Sequence, residues 1–306
     1  MQLSFSKSHF FSGLLIAGVV IGAHRLLASR PDRWARPPAM VAVHYQPVAI
    51  EPGRFGPLRI AGAWRLTSTE PRLGGVSGMA VARAGLLALT DSGVTIRLPR
   101  PAAASAWQVA SFQDLPAGPG SADYKAGRDG EALVKDAHGR GWWVGFENRH
   151  SAWLFNADFS KVERRIRLRR MGWSPNQGIE GALSIDSDLL LFPESGGEMV
   201  QVGARGIERT KLDNRFGTVA DAARLPDGRK IVLARTFSPA GFSAKVLELR
   251  GRQLSLVATL ALGRLDNPEA IAAETLPDGT TRLWLMTDND YRRRVPTLLI
   301  AFDWPN

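Results

Sequence analysis

Acidic residues recur along this chain beside small ones. Glu131 precedes Ala132, Glu180 precedes Gly181 and Glu269 precedes Ala270, while Glu147, Glu194 and Asp288 each close the apolar run that follows. Carboxylates gathered into one cavity repel, and proteins relieve that by raising their pKa values, by pairing them with Arg or Lys, or by binding a cation. Calcium takes roughly six to eight oxygen ligands. Glu131, Glu147, Glu180, Glu194, Glu269, Asp288 and Asn289 could supply them, with Asn148, Asn176 and Asn267 close in sequence. The other outcome is that the acids pair with Arg128, Arg149, Arg224 and Arg235 and fasten the fold.

A cation held this way could assist hydrolysis of an ester, with a spare carboxylate (Glu180, Glu269 or Glu131) or His150 as acid or base. Arg128, Arg149 and Arg235 could hold phosphate oxygens through forked hydrogen bonds, and Trp173 could stack on a substrate. Of five histidines, His9 and His24 lie near the N-terminus, His44 precedes the first repeat and His138 sits in the turn "DAHGR", so His150 alone falls near the acids. A cysteine count of zero excludes thiolate metal sites and a cysteine nucleophile. A serine nucleophile fares little better: "GGVSGMA" lacks the Gly-x-Ser-x-Gly elbow, and Ser77 reads as a channel residue.

The elements that must position these groups are short β-rich runs bounded by Gly, Pro, Asp and Asn, such as "GLLALTDSG", "GWWVGFEN", "KIVLARTF" and "RLWLMTDND". "PDGRK" and "PDGTT" predict hairpin turns. Trp142 and Trp143 alternate within one such run, so at least one faces a core between sheets. Five units align, led by Ser77, Glu131, Glu180, Asp221 and Glu269 and spaced roughly 40 to 55 residues apart, a period that suits four-stranded propeller blades. Adding Tyr45–Leu66 and the C-terminal "TLLIAFDW" predicts an all-β propeller of six blades over residues 41–306. The small residues Gly78, Ala132, Gly181, Ala222 and Ala270 then lie where inner strands crowd the axis, and the acids ring its mouth. Asp91, Glu147, Glu194 and Asp288 end the second strand of four units, and Arg235 takes that place in the fourth.

Residues 1–40 read as an export signal or membrane anchor: Lys7, the apolar run from Phe10 to Ala23, then a Pro- and Arg-rich tether. Cleavage and retention stay equally open, and either places the folded part in the periplasm or outside the cell. The net charge of +10 is partly this segment; the runs "RRIRLRR" and "YRRRV" read as solvated faces, with no nucleic-acid motif beside them.

"GGVSGMAV", "DGEALV" with "FEN", "NQGIEGAL" with "PES", and "DNPEAIAAE" through "LWLMTDNDYRRRVPTLLIAFDW" together resemble the phytase-like domain family of esterase-like activity, distantly similar to calcium-dependent β-propeller phytases. The resemblance spans roughly residues 55 to 303. It implies a propeller, a divalent cation such as calcium, and a small ester or phosphoester substrate. Ser77 stands where the family carries an acid, and Asp221-Ala222 replaces its Glu-Gly. The expectation is an exported, monomeric, metal-assisted ester hydrolase. The alternative is a non-catalytic periplasmic propeller that binds partners on a rigid scaffold.

Overall fold

The computed structural model describes residues 36–50, 55–122, 125–174, 177–213, 215–238, 241–260, 262, 267–292 and 295–305. The apolar run from Phe10 to Ala23, Asn176, and Arg293 and Arg294 of the basic run lie outside the described residues. Among the described residues no helix is long and apolar enough to cross a membrane.

The architecture is a β-propeller. Two strands come first, β1 (Ala39–Pro47) and β2 (Arg59–Ser68), followed by the first complete blade, β3 (Val76–Ala82), β4 (Gly85–Thr90), β5 (Val94–Leu98) and β6 (Ala106–Asp114). A single turn, α1 (Lys125–Arg128), leads into β7 (Gly130–Lys135), β8 (Gly141–Phe146), β9 (Ser151–Asn156) and β10 (Val162–Arg167). The third blade is β11 (Ile179–Ile185), β12 (Asp188–Pro193), β13 (Glu198–Gly203) and β14 (Gly206–Lys211). The fourth is β15 (Thr218–Arg224), β16 (Lys230–Ser238), β17 (Gly241–Arg250) and β18 (Gln253–Leu260), and the chain ends in β19 (Asn267–Thr275), β20 (Thr281–Asp288) and β21 (Thr297–Trp304).

Each blade is an antiparallel meander, because its strands are joined by tight turns. In both "PDG" hairpins glycine takes a left-handed conformation, at Gly228 (φ 91°) and Gly279 (φ 86°). The innermost strands β3, β7, β11, β15 and β19 pack side by side in cyclic order, so five blades surround the axis among the described residues. This corrects the expectation of six. Tyr45–Leu66 and "TLLIAFDW" build no blade of their own: β21 is the third strand of the last blade and β2 pairs onto it as the fourth. A three-stranded last blade leaves an edge that only the N-terminal strand is free to cover. β1 then pairs with both β2 and β6, fusing the first and last blades into one nine-stranded sheet.

The core lies between blades rather than within them. Among the described residues, five hydrophobic clusters fill the five junctions. Inner strands are covered on both faces and read as nearly continuous buried runs, whereas β14 at the rim is almost wholly exposed. Trp142 and Trp143 point to opposite sides of β8, one into the junction with the first blade and the other into the junction with the third. Burying such side chains stabilises by about 1.5–3 kcal/mol each.

Candidate functional site

Every inner strand carries a one-residue bulge near its start, which turns one side chain out of the ladder. The bulged residues are Ser77, Glu131, Glu180, Ala220 and Glu269. The fourth is a register correction: Ala220, not Asp221, is the counterpart of the acids, and Asp221 takes the place held elsewhere by Gly78, Ala132, Gly181 and Ala270. Charge alone matches Asp221 to the acids, but the bulge, not the charge, defines the position. The partner strands end just beyond, which sets Asp91, Glu147, Glu194, Arg235 and Asp288 beside the bulges at the same end of the ring.

Close backbone approach explains the small residues. A Cβ on Gly181 would lie 3.0 Å from the Ala222 amide nitrogen of the next blade. Gly178 has a different constraint: a Cβ there would stand 2.6 Å from Cα and Cγ of Glu147, so glycine is what lets that side chain cross the junction between the second and third blades.

Around that junction the carboxylates converge. Asp129, Glu131 and Glu147 bring one oxygen each within 4.8 Å of one another, and so do Glu147, Glu180 and Glu194. Glu147 belongs to both groups and is buried, as are Asp129 and Glu180. At that separation two like charges repel by roughly 3 kcal/mol at an effective dielectric of 20. Asn148 relieves part of this, donating from Nδ2 to Asp129 Oδ2 at 2.6 Å and to Glu147 Oε2 at 3.3 Å, its backbone held left-handed at φ 49°. The donor set is all carboxylate oxygen, which fits a hard cation such as calcium rather than zinc. Asp129 went unread in the sequence because the Asp-Gly of "RDGEALV" looks like a turn.

The remaining candidates stand elsewhere at the mouth. Glu269 is ion-paired with Arg235, and both bond Asn267, whose Nδ2 donates to Glu269 Oε1 at 2.6 Å while its Oδ1 accepts from Arg235 Nη1 at 3.0 Å. Asp288 Oδ1 accepts from the Asp290 amide at 2.7 Å. Asn289 Oδ1 accepts from the amides of Tyr291 at 2.9 Å and Gly75 at 3.3 Å, tying the last blade to the first. Ser77 donates to the Gly130 carbonyl at 2.6 Å and joins the first two blades. Arg128 lies against Gly93 and Gly118, and exposed Arg149 lies over Gly120, so both guanidinium groups border the loop that leads into α1.

His150 is buried. Its Nε2 meets the Trp173 carbonyl at 3.3 Å, its ring stands edge-on to the Trp173 indole, and its Nδ1 has no hydrogen-bond partner among the described residues. Trp173 is half-buried and donates from Nε1 to Glu198 Oε1 at 2.6 Å. Indole and imidazole therefore support one another beneath the β8–β9 turn that carries Glu147.

The sequence matches, over residues 71–291, the family described as Phytase-like, "Esterase-like activity of phytase". The chain belongs to the phytase-like family. No curated protein matches it. Among solved structures, the phytase-like chain is similar to the glutaminyl cyclase of Myxococcus xanthus, with a TM-score of 0.51 and 12% identity over 81% of this chain and 97% of that one. It is also similar to the PQQ-bound aldose sugar dehydrogenase of Streptomyces coelicolor (TM-score 0.45, 12% identity, 82% and 99% covered). A third is virginiamycin B lyase of Staphylococcus aureus (0.41, 11%, 75% and 71%). At such identities the likeness concerns the fold alone.

Proposed function

We propose that this phytase-like propeller is an exported, cation-assisted ester hydrolase acting at the mouth between its second and third blades. One observation carries the reading: Glu147 is buried and shared by two carboxylate triads. Asp129, Glu147, Glu180 and Glu194 would hold the ion, leaving Glu131 as the spare carboxylate, and calcium suits their oxygen donors. A bound cation supplies Lewis-acid polarisation of a carbonyl or phosphoryl oxygen.

The chain's own residues do the rest. Glu131, half-buried at the edge of the cluster, is the carboxylate best placed to accept a proton from an attacking water, and Glu180 lies deeper and serves as a holding ligand. Arg149, exposed beside the cluster, and Arg128 orient an anionic group on the substrate. Asn148 fixes the carboxylates of Asp129 and Glu147. His150 and Trp173 support the turn from below.

A second reading, a non-catalytic binding platform, draws on the Arg235–Glu269–Asn267 lock and on Ser77 and Ala220, which put no acid at two of the five bulges. Thermal unfolding of wild type and Glu147→Gln, with calcium and with a chelator, separates the two. Calcium at a hundredfold its Kd should stabilise wild type by about 2.7 kcal/mol. Glu147→Gln should lose that gain and melt no lower than wild type in chelator, since one like charge is gone. Turnover of phosphomonoester, phytate or acyl ester by wild type and its loss in the variant complete the test. Absence of both a cation effect and turnover leaves the scaffold.

A further inference from the structure

Five large apolar side chains are exposed among the described residues, and three of them share one face. Met40 on β1 is 70% exposed, and Trp107 and Val109 on β6 are 64% and 55% exposed. The register makes them neighbours: Ala42 opposes Val109, His44 opposes Trp107 and Met40 opposes Ser111, so all project from one side of the β1–β6 ladder. His44 stacks on Trp107 with ring centroids 4.8 Å apart, which holds the indole against the sheet with its outer face uncovered. The other two, Ile207 and Leu256, sit singly on the outer strands of the third and fourth blades. An apolar cluster at one point of an otherwise polar rim marks a contact surface.

Its surroundings are basic. Exposed Arg65 extends the same face across β2, paired with Gln46. Arg97, opposite Ser111 on β5, reaches the next blade and donates from Nη2 to the Ala157 carbonyl at 2.9 Å. Beyond it lies β10, the outer edge of the second blade, with exposed Arg165 and Arg167 on the side that faces the first blade, Arg165 lying over the Trp153 ring. The chain enters this face directly. β1 begins at Ala39, and residues 24–38, a reach of roughly 50 Å when fully extended, separate it from the apolar run Phe10–Ala23.

We propose that this face rests on an anionic lipid surface. Tryptophan with aliphatic neighbours suits the depth of lipid headgroups, and flanking arginines complement their charge. The surface would hold the propeller rim-down, beside the membrane that the run at 10–23 would enter. The inference is independent of whether the mouth is catalytic.

The chain contains no cysteine, so single labelling sites can be introduced cleanly. Full-length Val109→Cys, Met40→Cys and, as the reference, Ile207→Cys would carry a spin label and be mixed with phosphatidylglycerol-containing or purely phosphatidylcholine vesicles. Relaxation by oxygen, which partitions into lipid, is compared with relaxation by a water-soluble nickel chelate. The expected result is that labels at 109 and 40 become at least fivefold more sensitive to oxygen relative to nickel in the anionic vesicles, while the label at 207 stays water-exposed. The effect should fall severalfold in phosphatidylcholine. Labels at 109 and 207 that behave alike overturn the proposal. So does a label at 109 shielded from both agents and broadened by a second spin, which would assign the face to another copy of the chain. Equal depth in both lipids overturns the anionic selection. Melting temperatures matching wild type guard against unfolded variants.

Discussion

Asp221 is the carboxylate most at odds with its surroundings. It is fully buried on the inner strand of the fourth blade and accepts from the Ala222 amide at 2.7 Å and the Ile271 amide of β19 at 2.8 Å, with a further bond from the Met79 amide of β3. It thereby ties three inner strands together. Burial pushes its pKa well above the ordinary carboxylate range, against those three amides, which pull it down. A group whose folded pKa is raised gives stability that is present below the unfolded pKa and is lost as pH rises through the folded one. Asp221→Asn removes this titration but turns an amide donor toward a backbone donor, costing about 1–3 kcal/mol. The stability advantage of wild type over Asp221→Asn should therefore be largest near pH 4 and shrink toward neutrality, as read from urea midpoints at several pH values.

At the scale of the element, hairpins and junctions each depend on one or two atoms. The β7–β8 hairpin is built on buried Asp136, which accepts from the His138 amide at 3.0 Å, from Arg140 Nη2 at 2.7 Å and from Trp143 Nε1 at 3.0 Å. The Arg140 bonds, joined by that of Trp143 and opposed by burial, hold its pKa down to about 2. A depressed carboxylate contributes stability that is present above its unfolded pKa and lost as pH falls through the folded one. Wild type should lose stability between about pH 4 and pH 2 that Asp136→Asn does not. Asp136→Ala should cost about 1–3 kcal/mol at neutral pH, mostly from the stranded indole and amide donors, since Arg140 is half exposed and its ion pair contributes little. The junction between the third and fourth blades tests the crowding argument: Gly181→Val should destabilise by about 1–3 kcal/mol or more. Gly197→Ala, where an added Cβ meets nothing within 4 Å, should leave the melting temperature nearly unchanged.

For the whole molecule, the ring is closed by pairing chain ends that are remote in sequence. β2 completes the last blade through Leu66–Thr297 and its neighbours, and β1 sutures that blade to the first. Val43, Tyr45, Trp64 and Leu66 are all buried in the cluster between those two blades. A chain beginning at residue 69 loses them and exposes the edges of β21 and β6. It should melt roughly 10 °C or more below the full chain, in a less cooperative transition, and should associate on size exclusion.

Much of this was legible in order along the chain. Short apolar runs, "PDG" turns and a recurring acid-small pair are local features, and local sterics and periodicity were enough to indicate antiparallel blades, the crowding at Gly181 and a buried face for at least one of Trp142 and Trp143. The acids that meet at one junction, Glu131, Glu147, Glu180 and Glu194, were legible as types, whereas Asp129 was hidden inside a turn signal. What only the tertiary structure decided depends on ring closure and bulge register. A sequence does not reveal which edge a free strand will cover, and so six blades became five once β2 paired with β21. Nor does charge reveal which residue of a bulge leaves the ladder, and so Asp221 belongs to the axis while buried Ala220 holds the bulge. Glu269 and Glu180 occupy the same place in their repeats, yet one is held by Arg235 and the other stands among carboxylates, because the neighbouring blade, not the repeat itself, supplies each acid's partner.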